Sequence, residues 1–176
     1  VYTLDNILAN HVEIANEIAK NVDIAEHFNS YLHHGFYPFF LEHRNFEENL
    51  LKTMNMMTEV DILLIKQIEL KYLTKIKKLL YLLAVEGLKA PNISNLAGEI
   101  KTSRATVINY IKYLSDARLI NIIYHPGDEF PKKPSKVMMY NPNLMHCIYP
   151  IVAERQDVME TFFVNMLWKD HSEIGR

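Results

Sequence analysis

The sequence predicts a mainly α-helical chain in which a helical segment precedes a winged helix-turn-helix with a two-stranded β-wing. Three observations predict it. Apolar residues recur at the helical period through most of the first two thirds of the chain. Two amphipathic segments then meet at a two-residue turn, Lys101-Thr102, and two apolar runs follow, "LINIIY" (119–124) and "KVMMY" (136–140), parted by a stretch rich in proline.

The first segment is helical by its spacing. Leu4, Ile7, Leu8, Ile14, Ala15 and Ile18 fall mostly on one face, with Thr3 placed to cap. A second helix from about Val22 carries Ile24, Phe28 and Leu32 and is expected to stop at Gly35. In "GFYPFF" (35–40), Pro38 blocks helix continuation and four aromatic rings form an apolar plug between helices. A third helix is expected from Phe46 to Val60, with Leu50, Leu51, Met54 and Met57 inward and Asp61 following it.

The middle of the chain carries the motif. Leu70 to Glu86 reads as a helix with Ile76, Leu79, Leu80 and Leu83 inward and Lys71, Lys75 and Lys78 on another face, and Gly87 ends it. After Pro91, Asn92 is placed to cap a short helix whose apolar stripe is Ile93, Leu96, Ala97 and Ile100. Ser103 caps the next, which buries Val107, Ile111 and Leu114 and turns Ala105, Asn109, Lys112 and Asp116 outward. Two helices joined so tightly form a helix-turn-helix, and the two strands with the intervening "HPGDEFPKKPS" form the wing. Such turns usually place glycine where Lys101 stands; a left-handed lysine there costs about 1 kcal/mol.

Composition bounds the function. With 176 residues, 49% hydrophobic and 23% charged, the chain has the make-up of a globular protein with a core. The longest clean apolar run, residues 79–85, is far too short to span a bilayer. The single Cys147 rules out an internal disulfide, suits a reducing cytoplasm and reads as a small buried hydrophobe. The start at Val1 and the stop at Gly175-Arg176 give the expectation of a piece of a longer, cytoplasmic protein.

The net charge of −2 conceals an asymmetry: residues 1–70 hold 4 Lys/Arg against 11 Asp/Glu, residues 71–140 hold 12 against 5, and the remainder 3 against 5. A basic middle between acidic flanks points to nucleic acid or an acidic partner surface, and equally permits attraction between the chain's own segments. On the DNA reading the helix from Ser103 enters a major groove. Thr106, Asn109 and Lys112 approach base edges, while Arg104, Lys132, Lys133 and Lys136 hold phosphates. Roughly four phosphates would then be neutralised. On the alternative reading the same unit is an interdomain or protein-docking module that never meets DNA.

Catalytic chemistry finds little in the chain. His27, His33 and His34 invite a metal, but neighbouring helical histidines diverge and no Cys or carboxylate set completes a shell. No Ser or Cys stands in a recognisable arrangement with a His and an acid. The five glycines form no G-x-x-x-x-G-K-[ST] loop.

Taken in order, "HFNSYLHHGFYPFFLE" (27–42), the winged helix with "YLSDARLI" (113–120), "YNPNLMHCI" (140–148) and "METFFVNML" (159–167) resemble the C-terminal half of bacterial and archaeal AAA+ superfamily ATPases. In that family a P-loop core is followed by a helical lid, a winged helix and a nuclease-like domain of unknown function. The resemblance implies a lid-like segment at 1–66, a winged-helix domain at 67–140 and the truncated start of the nuclease-like domain at 141–176. It implies that ATP and Mg belong to a core upstream of Val1, that this piece is not itself an enzyme, and that its partners are that core, the downstream domain and DNA, with no membrane. A lid of this kind gives an arginine to the nucleotide, and Arg44 is the only arginine before residue 100. Glu160 matches the opening helix of the nuclease-like domain, where an acid helps to hold metal; without the strands that would bring its partners it reads as structural.

Overall fold

The computed structural model describes residues 2–42, 45–65, 68–148 and 155–173. Arg44, the 66/67 segment boundary and the Gly175-Arg176 end lie outside the described residues. The fold is mainly helical with one small antiparallel sheet. No helix among the described residues is long and apolar enough to cross a membrane.

Helix α1 (Leu4–Ala19) starts where Thr3 allows it: the Thr3 hydroxyl accepts the Asn6 N–H while the Asn6 side chain accepts the Thr3 N–H, which satisfies two backbone donors at once. No residue of α1 is buried, and Leu8 on its apolar face is 68% exposed. Asp23, one residue past the expected start, caps α2 (Ile24–Ser30) by accepting the Glu26 N–H. The chain then widens into a π turn over Tyr31–Gly35. The helical run does stop at Gly35, as expected, but not through a left-handed glycine, since the positive-φ glycines among the described residues are Gly87 and Gly127. Space requires the glycine instead: a Cβ there would lie 2.3 Å from Cδ2 of Tyr31.

The aromatic stretch closes as a 3-10 turn, Pro38–Glu42, with Tyr37 and Phe39 against the core. Helix α3 (Phe46–Met56) buries Leu50 and Met54, but Leu51 is 45% exposed, one position round from the inward face. Asp61 does not end the element, for wide π-type turns carry it on through Met57–Ile65. A wider turn re-aims each later side chain, and it brings Thr58 and Ile62 inward.

A short 3-10 turn (Leu70–Tyr72) leads into α4 (Leu73–Glu86), then α5 (Ile93–Glu99), α6 (Arg104–Asp116), β1 (Ile120–Ile123) and β2 (Lys136–Met139). Asn92 and Ser103 cap α5 and α6 by accepting the Asn95 and Thr106 N–H groups. Val107, Ile111 and Leu114 of α6 are buried with Leu79, Leu83 and Leu96, and Tyr110 joins them at 5% exposure. The strands pair antiparallel from Ile120 opposite Met139 to Ile123 opposite Lys136. Both turns that end α5 and α6 are left-handed and non-glycine: Lys101 has φ 50° and Arg118 φ 55°. In each, the next residue's N–H reaches five positions back, Thr102 to the Ala97 carbonyl and Leu119 to the Leu114 carbonyl, which satisfies the helix end.

Helices α7 (Pro142–Ile148) and α8 (Arg155–Glu173) complete the fold. One apolar core runs from Leu32 through α3, α4 and α6 to Leu144 and Val158, so the segments 1–66, 67–140 and 141–176 share it. Asparagines join them. Asn143 accepts the Phe36 N–H at 2.9 Å and donates to the Leu32 carbonyl at 2.8 Å, closing the end of the π turn from 107 residues away. Asn141 caps α7 through the Leu144 N–H and donates to the Tyr37 hydroxyl, while Asn121 and Asn165 both donate to the Tyr140 carbonyl.

Candidate nucleic-acid interface

The basic segment spends many of its cations on the protein itself. On α4, Lys75 donates to the Lys101 carbonyl at 2.6 Å and Lys78 to the Glu99 carbonyl at 2.7 Å, so two lysines meet the negative C-terminal end of α5. Lys77 pairs with Glu59 at 2.9 Å, and Lys71 with Glu69 at 2.6 Å. The first of these pairs ties the basic middle to the acidic first segment.

The expected DNA contacts divide in the same way. Lys112 is paired with Asp116 one turn on, Lys132 with Asp128 at 2.5 Å within the hairpin loop, and Lys136 with Glu160 of α8. Ser103 and Thr106 share a hydroxyl–hydroxyl hydrogen bond of 2.8 Å at the start of α6. Arg104 and Lys133 are exposed and have no ion-pair partner among the described residues. Lys101, absent from the expected set, is exposed and equally without an ion-pair partner among the described residues; it stands in the left-handed turn between α5 and α6. The signal for it was present in the sequence as a cation where the turn takes glycine.

Asn109 and Lys112 are half-buried where full exposure was expected. The reason lies on either side of α6. Toward its C-terminal half, Lys112 and Ser115 face Glu129 and Phe130 of the hairpin loop across a groove of about 480 Å³. Toward its N-terminal half, Thr106 and Asn109 open onto a second cleft of about 420 Å³ walled by Tyr72, Tyr110 and Tyr113. The tyrosines are functional candidates that sequence reasoning passed over. Their spacing on α6 was legible, but Tyr72 arrives from another element.

The remaining reactive groups are occupied in packing. His33 and His146 stack at 4.0 Å, and His34 meets Phe46 edge-on at 5.0 Å. Among the described residues no group of three His, Cys, Asp or Glu side chains is placed to hold a metal. Burial, reinforced by the charge of Glu47, pushes the Cys147 thiol up to about 11, so little thiolate exists at neutral pH.

The geometry defines a mainly helical unit with a helix-turn-helix-like pair and a short hairpin beside it. Residues 25–155 match a family described as a domain of unknown function, DUF8612, and the chain belongs to that family. The match begins within α2 and reaches the first residue of α8, so nearly all of the shared core falls inside it and α1 falls outside. No curated protein and no solved structure matches the chain.

Proposed function

We propose that α4 to α6 with β1 and β2 form a winged helix, and that this unit is a non-catalytic, DNA-contacting part of an AAA+ ATPase whose nucleotide-binding core lies on another part of the parent protein. One observation carries the DNA reading. Lys101, Arg104 and Lys133, which have no ion-pair partner among the described residues, stand on the turn, the helix start and the hairpin loop. These are the places from which a winged helix reaches phosphates. The partly exposed pairs Lys112–Asp116 and Lys132–Asp128 still meet solvent, so their lysines can exchange a carboxylate for a phosphate.

Binding of a duplex, followed by fluorescence anisotropy across a salt series, tests the proposal. Three free cations give a log-log slope of roughly −2.7 by counterion release. A flat salt response, or no binding at low salt, overturns it.

A second reading is favoured by the contacts of the hairpin with α8. Lys136 pairs with Glu160, and Asn165 of α8 donates to the Tyr140 carbonyl at 2.7 Å just beyond β2. These contacts suit a winged helix that acts as an interdomain docking module, in which the hairpin is a packing element.

A further inference from the structure

The cleft on the N-terminal half of α6 has the chemistry of a site for an unpaired nucleobase. Thr106, Asn109, Tyr110 and Tyr113 follow at i, i+3, i+4 and i+7, which sets them on one face of the helix. The connection from Ile68 to Tyr72 crosses that face at a distance, and the space left between them is about 420 Å³. Pockets for small organic ligands begin near this size, enough for a base with its sugar.

The lining is aromatic and polar but nearly free of charge. The Tyr110 and Tyr113 rings lie 6.2 Å apart, and Tyr72 faces them from the 3-10 turn. Tyr72 is close enough that, after burial itself, its charge and that of Tyr113 raise the Tyr110 hydroxyl above its ordinary value. Among the described residues no hydrogen bond engages the Asn109 amide, the Tyr110 hydroxyl or the Thr102 hydroxyl. Glu69, the one ionised group in the lining, is already balanced by Lys71. Lys71 itself lies with its ammonium 4.9 Å from the centre of the Tyr72 ring, already paired with Glu69, and no lysine or arginine among the described residues lines the cleft. A planar, uncharged ring with donors and acceptors on its edge would find faces to stack on and an amide to pair with.

We propose that this cleft binds an unpaired adenine base, stacked on Tyr72 and held at its N6 and N7 edge by the Asn109 amide. The pairing follows from the amide's adjacent donor and acceptor, which match that edge of adenine. Stacking on tyrosine supplies most of the affinity. The site goes beyond the duplex reading, in which Thr106 and Asn109 meet the edges of paired bases, because the base here is unpaired and enters the cleft between α6 and the Ile68–Tyr72 connection. Two sources carry the same chemistry, a free nucleoside and an unpaired base in a single strand.

The test titrates the whole chain with adenosine, with a short single-stranded oligodeoxyadenylate and with inorganic phosphate, following the tyrosine ring protons by NMR. Upfield shifts of the Tyr72, Tyr110 and Tyr113 rings with adenosine support the site and identify a nucleoside as sufficient. Shifts with the oligonucleotide alone support it with the strand as source. In either case Tyr72→Ala should weaken binding about tenfold and Tyr72→Phe should preserve it. Asn109→Leu, at a half-exposed position that tolerates change, should weaken adenine binding about tenfold even if Tyr72→Ala fails to fold. The proposal is overturned if neither probe shifts the rings, if phosphate shifts them equally, or if both substitutions leave binding unchanged. Duplex affinity of Tyr72→Ala reports separately on the DNA reading, since Tyr72 does not enter it, whereas Asn109 belongs to both readings.

Discussion

Lys136 at the end of β2 and Glu160 on α8 form an ion pair, with the two side chains only 30% and 36% exposed. A lysine expected to hold phosphate is therefore already held by a carboxylate. Lys136→Ala should leave the salt dependence of duplex binding unchanged and cost about 0–1 kcal/mol of stability. Glu160→Gln should release Lys136 and steepen the log-log slope by about 0.9. If Lys136→Ala shallows the slope instead, the pair opens on binding and the lysine does reach phosphate.

Ile111 is 1% exposed between α4 and α5, whereas Leu51 on α3 is 45% exposed. Ile111→Ala should cost about 2–5 kcal/mol. Leu51→Ala should cost within about 0.5 kcal/mol, although both were expected inward. Urea unfolding of the two variants checks the contrast; equal losses would mean that Leu51 is covered in solution.

That contrast shows what was legible in the residues. Caps are local: Thr3, Asn92 and Ser103 each bond an N–H three residues on, so their spacing is visible in the sequence. The helix-turn-helix pair, the strands and the burial of Val107, Ile111 and Leu114 follow from short-range periodicity in the same way. Leu51 was misread because it stands one position round from the buried Leu50–Met54 face, and the end of α3 because wide turns after Met56 break the helical period. Gly35 was read for its backbone when its use is steric, and the ring it accommodates is not predictable from a stop signal. The candidate site was the least legible part. Its cations were visible in the sequence, but which lysines are free depends on Glu160, Asp116 and Asp128, and the cleft depends on Tyr72 arriving from another element. Asn143 is the extreme case, since its partner Phe36 lies 107 residues away.

Lys101 and Arg118 each occupy a left-handed turn at the end of a helix, with φ of 50° and 55°. An L side chain is strained there by about 1 kcal/mol relative to glycine. Against that, a cation near a helix C-terminus recovers a few tenths of a kcal/mol. Lys101→Gly and Arg118→Gly should each raise stability by roughly 0.5–1 kcal/mol, measured as the urea midpoint. The two should differ in function. Lys101→Gly removes one free cation beside α6 and should shallow the duplex salt slope by about 0.9, while Arg118→Gly should leave it alone. Equal slopes in both variants would remove Lys101 from the interface.

His146 stacks on His33 at 4.0 Å, and its Nε2 is buried with no hydrogen-bond partner among the described residues. Burial, reinforced by the nearby His33 and His34, pushes its pKa down to about 4, whereas an unfolded histidine titrates near 6.5. Between those two values the unfolded chain binds a proton that the folded chain refuses. Stability from this residue is therefore complete above about 6.5 and is lost as pH falls toward about 4. His146→Phe keeps a flat ring against His33 and removes the proton site, so its urea midpoint should fall less than that of the unaltered chain across this window. Carboxylates elsewhere titrate in both proteins and cancel in the comparison. Parallel loss of stability in the two would show that His146 takes its proton in the folded state as readily as in the unfolded one, and that the His33–His146 stack opens to water.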